Sequence, residues 1–184
     1  MIDICLKNEE KNLLKSLIGK KLIKYRHDPL DKFDGEIVYG RVELFFDNLI
    51  ILIDYDYAPY PLFGSLDDER PAFSVKKISS EEAVSALKDV SQINVVCEKI
   101  ISGIVLVEDY IEIEWDRKKD NTRYIKAIIF KFGEEEMALQ GDYMIPLLDI
   151  IKGENVVSRL LNPGDEFKED LETKYSADRF LVEL

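Results

Sequence analysis

Apolar and polar residues alternate one by one along several stretches of this chain, and this alternation limits the folds it can adopt. The clearest stretch runs from Ile111 to Asp116, with apolar residues at the odd positions and acidic residues at the even ones. A period of two places successive side chains on opposite faces of an extended strand, so one face can be buried while the other meets water. The same pattern over residues 38–46 predicts a second such strand.

Turn residues between these stretches predict antiparallel hairpins. Asp47-Asn48 tolerates the positive φ of a two-residue loop, and the apolar run from Leu49 to Ile53 is typical of a strand covered on both faces. Further strands are predicted near residues 22–27, 73–75, 93–97, 104–107, 124–132, 137–139 and 180–183. Short helices are predicted at 9–18, 80–88, after Pro146 and at 166–174. We therefore expect an α+β fold dominated by antiparallel sheet, with a few short helices.

A chain of 184 residues has room for one large domain or two small ones. We predict a helix-plus-sheet half at 1–99 and a second antiparallel half at 100–184, with a single domain over 1–184 as the alternative. A shift of 86 residues places Phe46 on Phe132 and Asp56 on Asp142, and the elements follow in the same order. This predicts an ancient duplication, although any two hairpins share such alternation.

The charge of the chain limits its partners. There are 37 Asp and Glu residues against 25 Lys and Arg, a formal net charge of -12. Because Lys and Arg supply most of the affinity for phosphate backbones, we do not expect a nucleic-acid partner. The acid excess either serves solubility or favours a basic protein partner.

Few residues in the chain have the chemistry of a catalytic or cofactor site. His27 is the single histidine, so almost every conceivable site lacks the commonest general base and the commonest neutral metal ligand. The chain has no glycine-rich phosphate loop, and we expect no cofactor.

The sequence predicts a cytoplasmic protein. Charged residues interrupt the first twenty positions, so we predict no signal peptide and no membrane association. Cys5 and Cys97 are far apart and form no CxxC motif, which is typical of reduced thiols.

An aromatic segment between residues 55 and 68 is the best candidate for a binding surface. Tyrosine buries a large area at low entropic cost, and the interleaved prolines stiffen the segment. The side chains that we predict to bind a partner are Tyr55, Tyr57, Tyr60, Phe63, Asp67 and Asp68. The alternative is that the rings fold back over the sheet as part of the core.

A second candidate is a metal site at the end of the strand 49–53. Asp54 and Asp56 follow this apolar strand, and paired carboxylates at a strand end can hold Mg²⁺ or Mn²⁺. This pair would support a metal-dependent hydrolase or transferase, with Asp142 as a candidate third ligand. A solvated strand end is the simpler interpretation.

We therefore expect a non-enzymatic acidic module that binds another protein, such as an inhibitor or an immunity-like protein that neutralises a toxin. The metal-dependent enzyme is the alternative. The sequence predicts neither the identity of the partner nor the oligomeric state.

Overall fold

The computed structural model describes residues 1–29, 36–64, 68–79, 91–142, 145–165 and 174–184. One α-helix, α1 (Asn8–Lys15), and two 3-10 segments (Leu62–Gly64 and Val156–Arg159) lie in this part of the chain. The strands are β1 (Ile2–Ile4), β2 (Lys21–Pro29), β3 (Glu36–Phe46), β4 (Leu49–Pro59), β5 (Glu69–Ile78), β6 (Ile93–Ile100), β7 (Gly103–Trp115), β8 (Lys118–Phe132), β9 (Glu135–Gly141), β10 (Leu147–Gly153) and β11 (Lys174–Glu183).

The strands form one connected sheet that is mostly antiparallel, as the alternation predicts. The main path runs β11-β7-β8-β9-β10-β3-β2-β6, while β4 pairs with β3 and β5. The short β1 pairs parallel to β8, and the other described pairs are antiparallel. The predicted fold class is therefore confirmed at this level: predominantly antiparallel sheet with little helix.

Strand β3 connects the first half of the chain to the second. Its residues 41–46 pair with β4, while its residues 36–39 pair with β10. A single strand edge is thus shared between a neighbour from the same half and a neighbour from the other half. The strands of the two halves therefore belong to one continuous sheet.

Tyr55 packs where the two halves meet. Its ring lies against Phe73, with ring centroids 4.6 Å apart, and its hydroxyl donates to the carbonyl of Asp142. Gly141 makes room for the ring, because a Cβ at this position would lie 2.6 Å from Oη of Tyr55 and 2.7 Å from its Cε2. Tyr55 belongs to the main core, which also contains Val42, Leu44, Ile128 and Phe130 among others.

The hydrophobic pattern predicted the strands of the hairpins well. Phe46 pairs with Leu49 across the Asp47-Asn48 turn, which confirms that hairpin. Along β4, Ile51, Leu52 and Ile53 are all buried, so both faces of this strand are covered as expected. In β7, Ile111 and Ile113 are buried while Glu112 between them is exposed.

Some predicted boundaries were wrong. The predicted helix after Pro146 is strand β10, because the run 147–151 fits between β9 and β3 and pairs with both. The strand predicted at 49–53 extends further than expected, since Tyr57, Ala58 and Pro59 continue β4 and pair with β5. Helix α1 spans Asn8–Lys15 and not 9–18.

Other predictions fall on undescribed positions. The helix predicted at 80–88 and nearly all of the one predicted at 166–174 lie outside the described residues, and Lys174 itself begins β11. Within the described ranges, no helix is long and apolar enough to cross a membrane.

Candidate functional site

The end of the β4–β5 hairpin brings most of the predicted binding residues together. We call residues 56–64 and 68–70 the hairpin tip. Here Tyr57 pairs with Pro71, Ala58 with Arg70 and Pro59 with Glu69. The backbone N–H of Tyr60 then donates to the carbonyl of Asp68 at 2.7 Å, which brings the two sides of the tip together beyond the last strand pair.

Two contacts anchor the hairpin tip to β8. The side chain of Tyr60 is buried, and its hydroxyl lies 2.7 Å from Oγ1 of Thr122. The backbone N–H of Phe63 donates to Oδ2 of Asp120 at 2.9 Å. These bonds reach a strand of the other half of the chain, so they fasten the tip to the rest of the sheet.

Backbone conformation also shapes the hairpin tip. Phe63 has φ 51° and ψ 24°, the left-handed region that a bulky residue seldom occupies. Such conformations cost of order 1–3 kcal/mol and persist where surrounding contacts enforce them. Here the Phe63–Asp120 bond and the packing of the Phe63 ring near Ile111 and Ile113 provide that enforcement.

Tyr57 is the aromatic residue that the tip presents to solvent. Its exposed fraction is 48%, compared with complete burial of Tyr60. The neighbouring side chains Asp56, Pro59, Pro61, Asp68 and Glu69 are also exposed. Asp56 is partly fixed, since its Oδ1 accepts the backbone N–H of Tyr57 at 2.8 Å. The result is a tyrosine on an acidic and proline-rich surface.

The structure separates the six predicted binding residues into groups. Tyr57 and Asp68 lie on the surface of the tip, and Phe63 is half-buried. Tyr55 and Tyr60 are buried in the core, so we leave both out of the proposed surface. Asp67 lies outside the described residues.

The predicted metal pair is placed differently from the expectation. Asp54 and Asp56 do not follow the end of a strand, because β4 continues to Pro59. Nη2 of Arg41 lies 3.4 Å from Oδ2 of Asp54, so this carboxylate already has a cation beside it. In the ranges that the structure describes, no three His, Cys, Asp or Glu side chains are grouped as metal ligands would be. The metal-dependent alternative stays a prediction.

An open cleft of about 420 Å³ adjoins the tip. Glu112, Glu114 and Asp120 line it, together with Lys119 and Lys174. Asp120 belongs to both features, since it also accepts the Phe63 N–H. These acids are not among the site residues predicted from the sequence. Their signal was present in the polar face of β7, where Glu112 and Glu114 alternate with buried isoleucines.

The chain was compared with protein families, curated proteins and solved structures. None of them matches it. What the protein does is therefore inferred from its own residues.

Neither thiol has the properties of a nucleophile. Both cysteines are free and partly buried. Burial, reinforced by Asp3 and Glu108, raises the pKa of Cys5 to about 12. Burial also raises the pKa of Cys97. Because the thiolate is the reactive form, both side chains are expected to be inert near neutral pH.

The buried carboxylates of β7 are used in ion pairs that hold the fold together. Glu108 accepts from Nζ of Lys11 at 3.2 Å and from Nε of Arg123 at 2.9 Å. Asp109 receives two parallel bonds from Arg179, both 2.7 Å long. Such bidentate pairs are strong and directional, and here they tie β7 to α1, β8 and β11.

Proposed function

We propose that this protein is a non-enzymatic acidic module that binds another protein through its hairpin tip. The observation that carries the proposal is the half-exposed ring of Tyr57 on a tip that buried Tyr60 fastens to β8. The other exposed side chains of this tip include Asp56, Asp68 and Glu69. Partly exposed tyrosines on a fixed support are typical centres of binding energy in protein interfaces.

The physical steps of binding follow from charge and rigidity. The net charge of -12 attracts a partner with a basic surface and raises the rate of encounter. Docking then buries the Tyr57 ring. Because the Tyr60 and Phe63 contacts already order the tip, little further entropy is lost when the complex forms.

The class of partner that fits this charge is a basic protein. A protein that neutralises a toxin or inhibits an enzyme would use an acidic surface of this kind. We place the protein in the cytoplasm within this proposal, since Cys5 and Cys97 are unpaired thiols. A nucleic acid or a membrane would each meet the acidic surface unfavourably.

We also propose that the two halves of the chain arose by duplication. The order β6-β2-β3-β4-β5 of the first half corresponds to the order β11-β7-β8-β9-β10 of the second. Phe46 pairs with Leu49 and Phe132 with Glu135, which is the same hairpin register under the shift of 86 residues. Relatives whose halves align with each other above chance would support the duplication, and the absence of such alignment in any relative would contradict it.

The binding proposal is tested by comparing two tyrosine variants. Tyr57→Ala removes the proposed anchor, while Tyr39→Ala removes a ring of similar exposure, 39%, from β3 outside the tip. Immobilised wild type retains its partner from native lysate, and the purified partner is then titrated against each variant. We expect Tyr57→Ala to weaken binding by about 2 kcal/mol, roughly thirtyfold, and Tyr39→Ala to leave it unchanged.

Thermal unfolding of both variants provides the control, because a folded Tyr57→Ala protein must retain the melting temperature of the wild type within a few degrees. Equal binding by wild type and Tyr57→Ala would contradict the proposal. So would an equal loss in both variants.

A further inference from the structure

The outer strands of the sheet differ in how well their edges are protected. An unpaired strand edge presents a row of N–H and C=O groups to which another strand can add, and proteins usually block it. Among the described strands of more than three residues, β5, β6 and β11 each pair with one neighbour along their length. The first two carry recognisable blocks.

Strand β5 is blocked by a proline and by helix α1. Pro71 removes one donor from its backbone, and Oε1 of Glu10 accepts the N–H of Val75 at 2.9 Å. Lys76 and Lys77 add exposed charge. A further strand could not pair along this edge without displacing α1.

Strand β6 is blocked by a bulge. Its register with β2 shifts between Leu22 and Lys24, and Glu98 in the irregular part has φ 57°. Glu98 also forms an ion pair with Lys21. A bulge with a charged residue interrupts the regular spacing that a further strand would need.

In the part of the chain that the structure describes, no proline, bulge or helix blocks strand β11. Its register with β7 is continuous over the ten residues from Lys174 to Glu183, and it contains no proline. None of its residues is buried. Phe180 and Leu181 are 54% and 53% exposed, and as successive residues they lie on opposite faces of the strand. An added strand would cover both.

Two of the four charged residues of β11 form ion pairs within the chain. Arg179 is turned to Asp109 by two 2.7 Å bonds, and Glu183 accepts from Nζ of Lys131 at 2.8 Å. The strand itself has two basic and two acidic residues, Lys174, Arg179, Asp178 and Glu183. It is therefore locally neutral although the whole chain is acidic, and a second copy can approach here without strong repulsion.

We propose that β11 pairs antiparallel with β11 of a second copy of this chain, with Phe180 facing the partner's Phe180 across the two-fold axis. In a symmetric antiparallel pair the two-fold axis passes between the two copies of one residue, which is the centre of the pair. With Asp178 or Arg179 as the centre, two like charges would face each other. With Ala177 as the centre, Leu181 would lie outside the paired residues. A centre at Leu181 would pair fewer residues, whereas the Phe180 centre pairs residues 177–183 of both copies.

Engineered disulfides test this register. In Phe180→Cys the two introduced residues face each other with Cα atoms roughly 5 Å apart, which a disulfide can span. In Leu181→Cys, a control of equal exposure, they are about 8 Å apart, which is too far. Under mild oxidation we expect Phe180→Cys to give a covalent dimer, while Leu181→Cys and the parent chain, which retains Cys5 and Cys97, do not. A dimer formed by Leu181→Cys and not by Phe180→Cys would overturn the proposed register.

Sedimentation velocity of the chain without engineered cysteines tests the dimer itself. We expect a concentration-dependent species of twice the 21.3 kDa chain mass, strengthened by added salt because like net charges are screened. Leu181→Lys should weaken dimerisation by more than about tenfold. Val96→Lys, at a 74% exposed position on blocked β6, should not.

A chain that sediments as a monomer at every concentration overturns the proposal, whatever else binds to β11. If Leu181→Lys also abolished retention of a lysate protein by such a monomer, the edge would be assigned to that protein instead. The Tyr57 experiment is independent of this outcome, because the hairpin tip and β11 are changed by different substitutions.

Discussion

Tyr57 and Tyr60 are three positions apart, and their environments are opposite. Tyr60 is buried with its hydroxyl against Thr122, whereas nearly half of Tyr57 is open to solvent. The sequence predicted that this segment carries aromatic residues beside carboxylates, but it could not predict which rings are buried. The burial of each ring depends on β8 of the other half, because Tyr60 packs against this strand and Tyr57 does not.

Cys5 provides a prediction at the scale of one residue. An ordinary thiol with a pKa of 9.0 is half ionised at pH 9, whereas Cys5, with a pKa of about 12, is ionised in about one molecule per thousand. We expect alkylation of Cys5 by iodoacetamide at pH 9 to be more than about tenfold slower in the native protein than in urea, because the loss of ionised thiol outweighs the higher nucleophilicity of a thiolate with a raised pKa. Peptide mass mapping over time measures the rate at each cysteine.

Cys97 provides a second test in the same measurement. Burial raises its pKa too, so it should also react more slowly than an unfolded thiol. Alkylation of native Cys5 at the unfolded rate would show that the carboxylates and the burial around it do not suppress its ionisation.

Most secondary structure elements of this chain could be predicted from local pattern. Alternation identified β3 and part of β7, and the Asp47-Asn48 turn fixed the first hairpin. Strand β10 could not be identified this way, because Leu147, Leu148, Ile150 and Ile151 form a short apolar run that fits a helix or a buried strand equally well. Its pairing with β3 from the other half decides the outcome, and no local signal reports that partner.

The junction between the halves provides a prediction at the scale of elements. Gly141→Ala places a methyl group against the ring of Tyr55, and overpacking of this kind costs about 1–3 kcal/mol of unfolding free energy. Urea denaturation followed by tryptophan fluorescence measures this loss.

Gly103→Ala is the matched control in β7. A Cβ at this position would meet only the flexible side chain of Lys131, at 3.6 Å, so we expect no loss of stability. If Gly141→Ala proved as stable as Gly103→Ala, the packing of Tyr55 between the halves would not be as tight as the structure indicates.

At the scale of the whole molecule, one sheet combines an acidic exterior with a fixed aromatic tip. The acid excess leads us to expect a basic partner, but it does not indicate which surface would bind one. The connection of β3 with β10 and the bonds from the tip to β8 both cross between the halves. A folded whole chain is therefore required to present Tyr57, and the isolated tip segment is expected to bind poorly.

Site-specific photo-cross-linking tests the central claim most directly. A photoreactive phenylalanine analogue, which keeps an aromatic ring in place of Tyr57, is incorporated at position 57 in the full chain, and at position 39 as the control of similar exposure. Irradiation in native lysate should give one discrete adduct with a basic protein from position 57, and competition with unlabelled wild type, but not with Tyr57→Ala, should remove it. No adduct from position 57, or the same adducts from both positions, would contradict the assignment of the hairpin tip as the binding surface.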